Sequence, residues 1–120
     1  MAKRILLVED DLDIQRVYSE KLKVEGYEVH LAVDVPHGLQ QIEEVKPDIV
    51  LLDIMLPGKM NGFEMLQYIK TDDRYKQIPV IVMTNLDTER EEALKVGAAD
   101  YLIKANTELS VLTEKIKHLI

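Results

Sequence analysis

The chain has 120 residues, 47% of them hydrophobic, a formal net charge of -7 and a sequence pI of about 4.9. That length gives one domain, 1–120, with a single core, and the acidic surface repels a phosphate backbone, which excludes direct nucleic-acid binding. The absence of cysteine excludes a disulfide framework and any thiolate metal site. Met1 to Arg4 carries two positive charges, but the apolar run behind it stops at Glu9, too soon for a signal peptide. No segment is long enough to span a bilayer, so the expectation is a soluble cytoplasmic chain with no membrane partner.

In chain order, short apolar runs alternate with segments of helical period. The runs are Ile5 to Val8, Tyr27 to Ala32, Ile49 to Leu52, Val80 to Met83 and Tyr101 to Ile103. Runs this short, apolar on both faces, suit strands of a parallel sheet covered on both sides. After the first strand, Ile14, Val17, Tyr18 and Leu22 form a helical stripe that stops at Gly26. Leu39 and Ile42 form a shorter one before Pro47, and Phe63, Leu66 and Ile69 a third. Ala93, Leu94 and Val96 make a fourth that halts at Gly97; Leu109, Leu112, Ile116 and Leu119 make a fifth. Asn61 with Glu64, and Thr88 with Glu91, read as capping boxes, and Asn106 as a cap for the last helix.

Five strands alternating with five helices imply right-handed crossovers and an α/β fold, a doubly wound five-stranded parallel sheet of order 2-1-3-4-5. In such a sheet, ligands sit beyond the carboxyl ends of the strands, where the order reverses. Glu9, Asp10 and Asp11 follow the first strand, Asp53 the third, Thr84 ends the fourth and Lys104 follows the fifth. Carboxylates this close repel unless a hard divalent ion neutralises them, and Mg²⁺ suits oxygen ligands while keeping waters that phosphate can displace. Each residue also has a structural reading: Asp10 or Asp11 as a helix N-cap, Thr84 as a β-branched strand residue, Lys104 as a surface lysine. Asp53 is harder to explain that way, because it closes an apolar run near the middle of the sheet. His30, His37 and His118 have no ligand spacing, and no Gly-rich phosphate loop occurs.

The stretches Ile5 to Asp11, Asp48 to Asp53, Met83-Thr84-Asn85 and Gly97 to Lys104 closely resemble the receiver domain of two-component response regulators. The resemblance runs from Lys3 to Ile120 and implies a flavodoxin-like, CheY-like (βα)5 fold. It implies that Asp53 accepts a phosphoryl group from a sensor histidine kinase or histidine phosphotransfer protein, with Thr84 and Lys104 contacting the phosphoryl oxygens. The implied Mg²⁺ ligands are Asp11, Asp53 and the backbone carbonyl of Met55, with Asp10 acting through water, and Tyr101 is the implied rotamer switch. It also implies an output read from the fourth helix, fifth strand and fifth helix by a downstream effector or attached output domain, with homodimer formation on phosphorylation a further option. Such a chain is not an enzyme beyond promoting its own phosphorylation and dephosphorylation.

Two departures stand out. Ala105 follows Lys104 where the family usually has proline, and Gly58-Lys59 lengthens the loop after Asp53 by one residue. A haloacid-dehalogenase-type phosphatase shares the aspartyl phosphate chemistry, but it places a second aspartate where this chain has Met55. A degenerate, unphosphorylated receiver conflicts with the full acidic set, and a flavin phosphate with a carboxylate-lined switch point.

Overall fold

The computed structural model describes residues 2–120, so Met1, part of the opening basic cluster and of the domain range, lies outside the described residues. The elements are β1 (Arg4–Val8), α1 (Leu12–Val24), β2 (Glu28–Ala32), α2 (Val35–Val45), β3 (Ile49–Leu52), α3 (Gly62–Thr71), β4 (Val80–Thr84), α4 (Arg90–Val96), β5 (Asp100–Ile103), a 3₁₀ turn (Lys104–Asn106) and α5 (Leu109–Leu119). The five strands form one sheet of order β2-β1-β3-β4-β5, every pair parallel. The alternation of strands and helices had pointed to this order.

Burial follows the two-residue period of a strand. Ile5 and Leu7 of β1, Ile49 and Leu51 of β3, Ile81 and Met83 of β4 and Leu102 of β5 pack with Leu22 of α1 and Leu112 and Ile116 of α5. The residues between them, Leu6, Val8, Val50, Leu52, Val80, Val82 and Tyr101, pack on the opposite face with Ile42, Met65, Leu66, Ile69 and Ala93 of α2, α3 and α4. The edge strand β2 is the exception to two apolar faces, since Glu28 and Leu31 are exposed and only one neighbour strand covers it.

Helix starts divide into one that follows its sequence signal and two that do not. At α3 the capping box forms as expected: Glu64 N–H donates to Asn61 Oδ1 at 3.0 Å and Asn61 N–H to Glu64 Oε1 at 3.1 Å. Thr88 caps nothing. The seven-residue α4 starts at Arg90 behind Glu89, which makes no side-chain cap bond, and the Thr88 hydroxyl turns to Glu89 Oε1 at 3.4 Å. Asn106 is likewise not the cap of α5, because the 3₁₀ turn after β5 uses it and the helix begins at Leu109.

Gly62, the first residue of α3, lies where the chain doubles back behind the end of β3. A Cβ there would come within 2.1 Å of the carbonyl oxygen of Asp53 and 2.6 Å of Ile54 Cα, so only glycine lets α3 start this close to Asp53. In the loop between them, Gly58 has φ +100, a backbone conformation that side chains with a Cβ disfavour.

Candidate phosphoacceptor site

The carboxyl ends of β1, β3, β4 and β5 meet at one edge, because the registers Val8↔Leu52 and Thr84↔Ile103 bring the strand ends level. Just beyond that edge lie three charged side chains that are almost wholly buried: Glu9, Asp53 and Lys104, with side-chain exposures of 3%, 7% and 10%. The same period that fills the core aims them. Counting in twos, Ile5 and Leu7 lead to Glu9, Ile49 and Leu51 to Asp53, and Leu102 to Lys104.

Lys104 Nζ donates to Asp53 Oδ2 at 2.7 Å and also bonds Glu9 Oε1. Asp53 Oδ1 accepts the Met55 N–H at 2.9 Å, and Glu9 Oε2 accepts the Asp11 N–H at 3.2 Å. Among the described residues no buried side-chain nitrogen or oxygen lacks a partner. The backbone of Glu9 is held as well: Gln15, buried on α1, donates its side-chain amide to Glu9 O at 2.9 Å and Ala32 O at 3.0 Å.

Burial pushes the Glu9 carboxyl above its usual range, and the bond to Lys104 offsets this only in part. Burial also pulls the Lys104 ammonium down, but its bonds to Asp53 and Glu9 outweigh that and hold it above its usual value. The two directions agree physically: one ammonium shared by two carboxylates stays charged, while a carboxylate that shares it is left incompletely neutralised.

One oxygen from each of Glu9, Asp10 and Asp53 lies within 4.8 Å of the others. Glu9 and Asp10 belong to the acidic set read from the sequence, whereas Asp11, which the resemblance implies as a direct ligand, is not in this group. Asp11 is the N-cap of α1, its Oδ1 accepting the N–H groups of Asp13 at 2.9 Å and Ile14 at 3.1 Å. Its carboxylate thereby stabilises the helix terminus, which is the structural reading the sequence had left open for it. Strand parity identifies Glu9, because the residue two beyond Leu7 lies on the same side of the sheet.

Thr84 ends β4 fully buried, its Oγ1 accepting the Leu86 N–H at 3.4 Å. Tyr101 is fully buried with its ring turned inward and its hydroxyl donating to the Leu86 carbonyl. The Arg90 guanidinium lies 5.2 Å over that ring. Burial pushes the Tyr101 phenol up, so it remains a donor. The Lys104–Ala105 peptide is trans, as are all peptide bonds among the described residues. A cleft of about 280 Å³ between the loops after β3 and β4 is lined by Ile54, Asn61, Phe63, Glu64, Leu86 and Glu89. None of the clustered charges lines it. No helix among the described residues is long and apolar enough to cross a membrane.

The protein is thus a doubly wound parallel α/β fold with an acidic cluster and a buried lysine at the carboxyl edge of its sheet. The family model "Response regulator receiver domain" matches residues 5–117, and the chain belongs to that family, the receiver domains of two-component systems. It is 42% identical over 106 residues to the response regulator PleD of Caulobacter vibrioides, covering 87% of this chain and 23% of that protein. The chain therefore spans about a quarter of that relative's length. A receiver domain protein (CheY-like) from Methanospirillum hungatei superposes with a TM-score of 0.89 at 34% identity, over 98% of this chain and 93% of that one. The Mn²⁺-bound form of response regulator Rcp1 gives a TM-score of 0.80 at 29% identity, over 93% and 88% of the two chains.

Proposed function

We propose that the chain is a single receiver domain, 1–120, that takes a phosphoryl group on Asp53 from a histidine kinase or histidine phosphotransfer protein. The observation that carries this reading is the buried Asp53 carboxylate, bonded to Lys104 and grouped with Glu9 and Asp10. Transfer forms a bond between an Asp53 oxygen and phosphorus as the phosphorus–nitrogen bond of the donor histidine breaks. The released electron pair returns to the imidazole, which takes up a proton.

The donor set fits a hard divalent cation. Glu9, Asp10 and Asp53 are oxygen ligands within one small volume, and with Lys104 counted their ionised charges sum to two negative. Mg²⁺ or Mn²⁺ would be held by Asp10 and Asp53, with the Met55 carbonyl and with Glu9 through water, and would supply neutralising charge for the phosphoryl oxygens. The relative Rcp1, solved in a Mn²⁺-bound form, supports this assignment. Lys104 is the ammonium that leaves Glu9 to pair with a phosphoryl oxygen, and Thr84 is the hydroxyl that bonds another. Fixed donors of this kind stabilise the charge that phosphoryl transfer develops.

Phosphorylation adds about 1.5 to 2 negative charges at Asp53. Thr84 and Tyr101 both meet at Leu86, so a shift of the Thr84 hydroxyl toward the phosphoryl group changes what holds the β4–α4 loop and the Tyr101 ring. That biases the face formed by α4, β5 and α5, where Leu94, Val111 and Leu119 are exposed, toward a form read by an effector, an attached output domain or a second copy. The reading is tested by incubating the protein with acetyl phosphate and Mg²⁺ and weighing it by mass spectrometry. One phosphoryl group is expected on the wild type and none on Asp53→Asn; equal labelling of both removes Asp53 from the role.

A further inference from the structure

Asn85 and Ala105 stand just beyond the last rung of the β4–β5 ladder, where Thr84 pairs with Ile103. The Ala105 N–H donates to Asn85 Oδ1 at 2.9 Å. Ala105 is the middle residue of the 3₁₀ turn that begins at Lys104, and the residue before that turn, Ile103, supplies no side-chain cap. The first N–H groups of a helical turn have no partner within it, so Asn85 caps this turn from a separate loop. In doing so its amide oxygen extends the parallel ladder past its last backbone rung.

The neighbours of this pair give it meaning. Asn85 follows Thr84 and Ala105 follows Lys104, so one hydrogen bond joins the two segments that carry the hydroxyl and the ammonium of the site. We propose that Asn85 is a positioning residue: its bond to the Ala105 N–H fixes the backbone from which Lys104 reaches Asp53. Lysine has a flexible four-carbon stem, and its Nζ is held at the correct place only if the stem starts from a fixed point. The device needs an N–H at position 105. Proline has none, so the bond depends on Ala105 as much as on Asn85, and the two work as a matched pair. The proposal rests on the reading of Asp53 as phosphoacceptor.

The test uses the whole chain in three forms: wild type, Asn85→Leu and Asn85→Asp. Leucine keeps the bulk of asparagine without its acceptor, whereas aspartate keeps the acceptor. Asn85 is exposed, so neither change disturbs the core. Amide hydrogen exchange of Ala105 is measured by NMR, alongside the rate of Asp53 phosphorylation by acetyl phosphate with Mg²⁺, in high salt so that the charge added by aspartate is screened. In Asn85→Leu, Ala105 exchange is expected to rise and phosphorylation to slow, each about three- to tenfold, the range that loss of one hydrogen bond covers. Asn85→Asp is expected to restore both toward wild type. The positioning role is overturned if Asn85→Leu phosphorylates at the wild-type rate, if its rate falls while Ala105 stays protected, or if Asn85→Asp is as slow as Asn85→Leu. A wild type that takes no phosphoryl group on Asp53 overturns the phosphoacceptor reading instead, and the role built on it falls with it.

Discussion

The two edges of the sheet use the same kinds of charged residue under opposite conditions. At the amino edge, Arg4 pairs with Glu28 at 3.4 Å with side-chain exposures of 44% and 49%, and the Arg4 N–H donates to Asp48 Oδ2 at 2.7 Å. At the carboxyl edge, Lys104 pairs with Glu9 and Asp53, none more than 10% exposed. Exposed pairs are screened by water and contribute little. Buried ones carry a desolvation cost that persists until every charge is neutralised. The amino edge therefore carries its charges at little cost, while the carboxyl edge buries two carboxylates against one ammonium.

The sharpest way to break this contrast is to remove one member of each pair. Lys104→Met leaves Glu9 and Asp53 buried without their cation and is expected to cost about 2 to 4 kcal/mol in metal-free urea unfolding, the scale of a broken buried pair. Added Mg²⁺ should recover part of that loss. Glu28→Gln at the opposite edge is expected to leave the unfolding midpoint unchanged, the smallest effect in the series. Equal losses in the two variants would show that burial does not separate the edges.

Next in size, Gly62→Ala probes the backbone that supports Asp53. The added Cβ falls 2.1 Å from the Asp53 carbonyl oxygen, so α3 must move away, at an expected cost of about 2 kcal/mol or more. Acetyl phosphate labelling should fall with it. A variant as stable as wild type would mean that α3 can slide without strain.

A smaller effect concerns how long the phosphoryl group persists. Hydrolysis needs a water held in line by a polar neighbour. The residues two beyond Asp53 and two beyond Thr84 are Met55 and Leu86, and neither can orient a water strongly. Asn85, beside them, narrows the approach further. The phosphorylated protein is expected to be long-lived, and the double variant Met55→Asn, Leu86→Glu to lose its phosphate about tenfold faster, a barrier change of about 1.4 kcal/mol. Loss at the same rate in both would refute the access argument.

Much of the fold was legible because strand runs and helical stripes report burial directly. Ile49 to Leu52 is apolar on both faces because both faces are covered, and the Asn61–Glu64 box marks α3 because its two bonds are local. The misses share a cause. Thr88 and Asn106 have the right residue types for caps, but the chain between strand end and helix is longer than the motif assumes, and tertiary packing sets where α4 and α5 begin. Glu9 was legible only as one of three consecutive acids that look alike in sequence, whereas the pleat buries the first and the third caps a helix. The Asn85–Ala105 bond had no sequence signature, since neither residue type implies the other.

Acid titration adds a sign to the carboxyl edge. The Glu9 carboxyl titrates above its ordinary value of 4.5 in the folded chain, so its ionisation works against the fold. That contribution is present below the unfolded value and is lost as pH rises through the folded one. The Glu9 contribution to metal-free stability should therefore fall as pH climbs out of the carboxylate range, opposite in sign to those of Glu28, Asp34 and Asp72, whose carboxyls are held low, and Glu9→Gln should remove it. A bound divalent ion reverses the balance, because it needs the ionised carboxylates.

The most direct measurement of the central claim is thermal unfolding at neutral pH with increasing Mg²⁺, for wild type and Asp10→Asn. Binding to the folded state alone stabilises by about 2.7 kcal/mol at a hundred times the dissociation constant, so the wild-type midpoint is predicted to climb with Mg²⁺ while that of Asp10→Asn stays flat. Parallel rises in the two proteins would place the cation elsewhere and leave the buried charges at the carboxyl edge without the partner this account gives them.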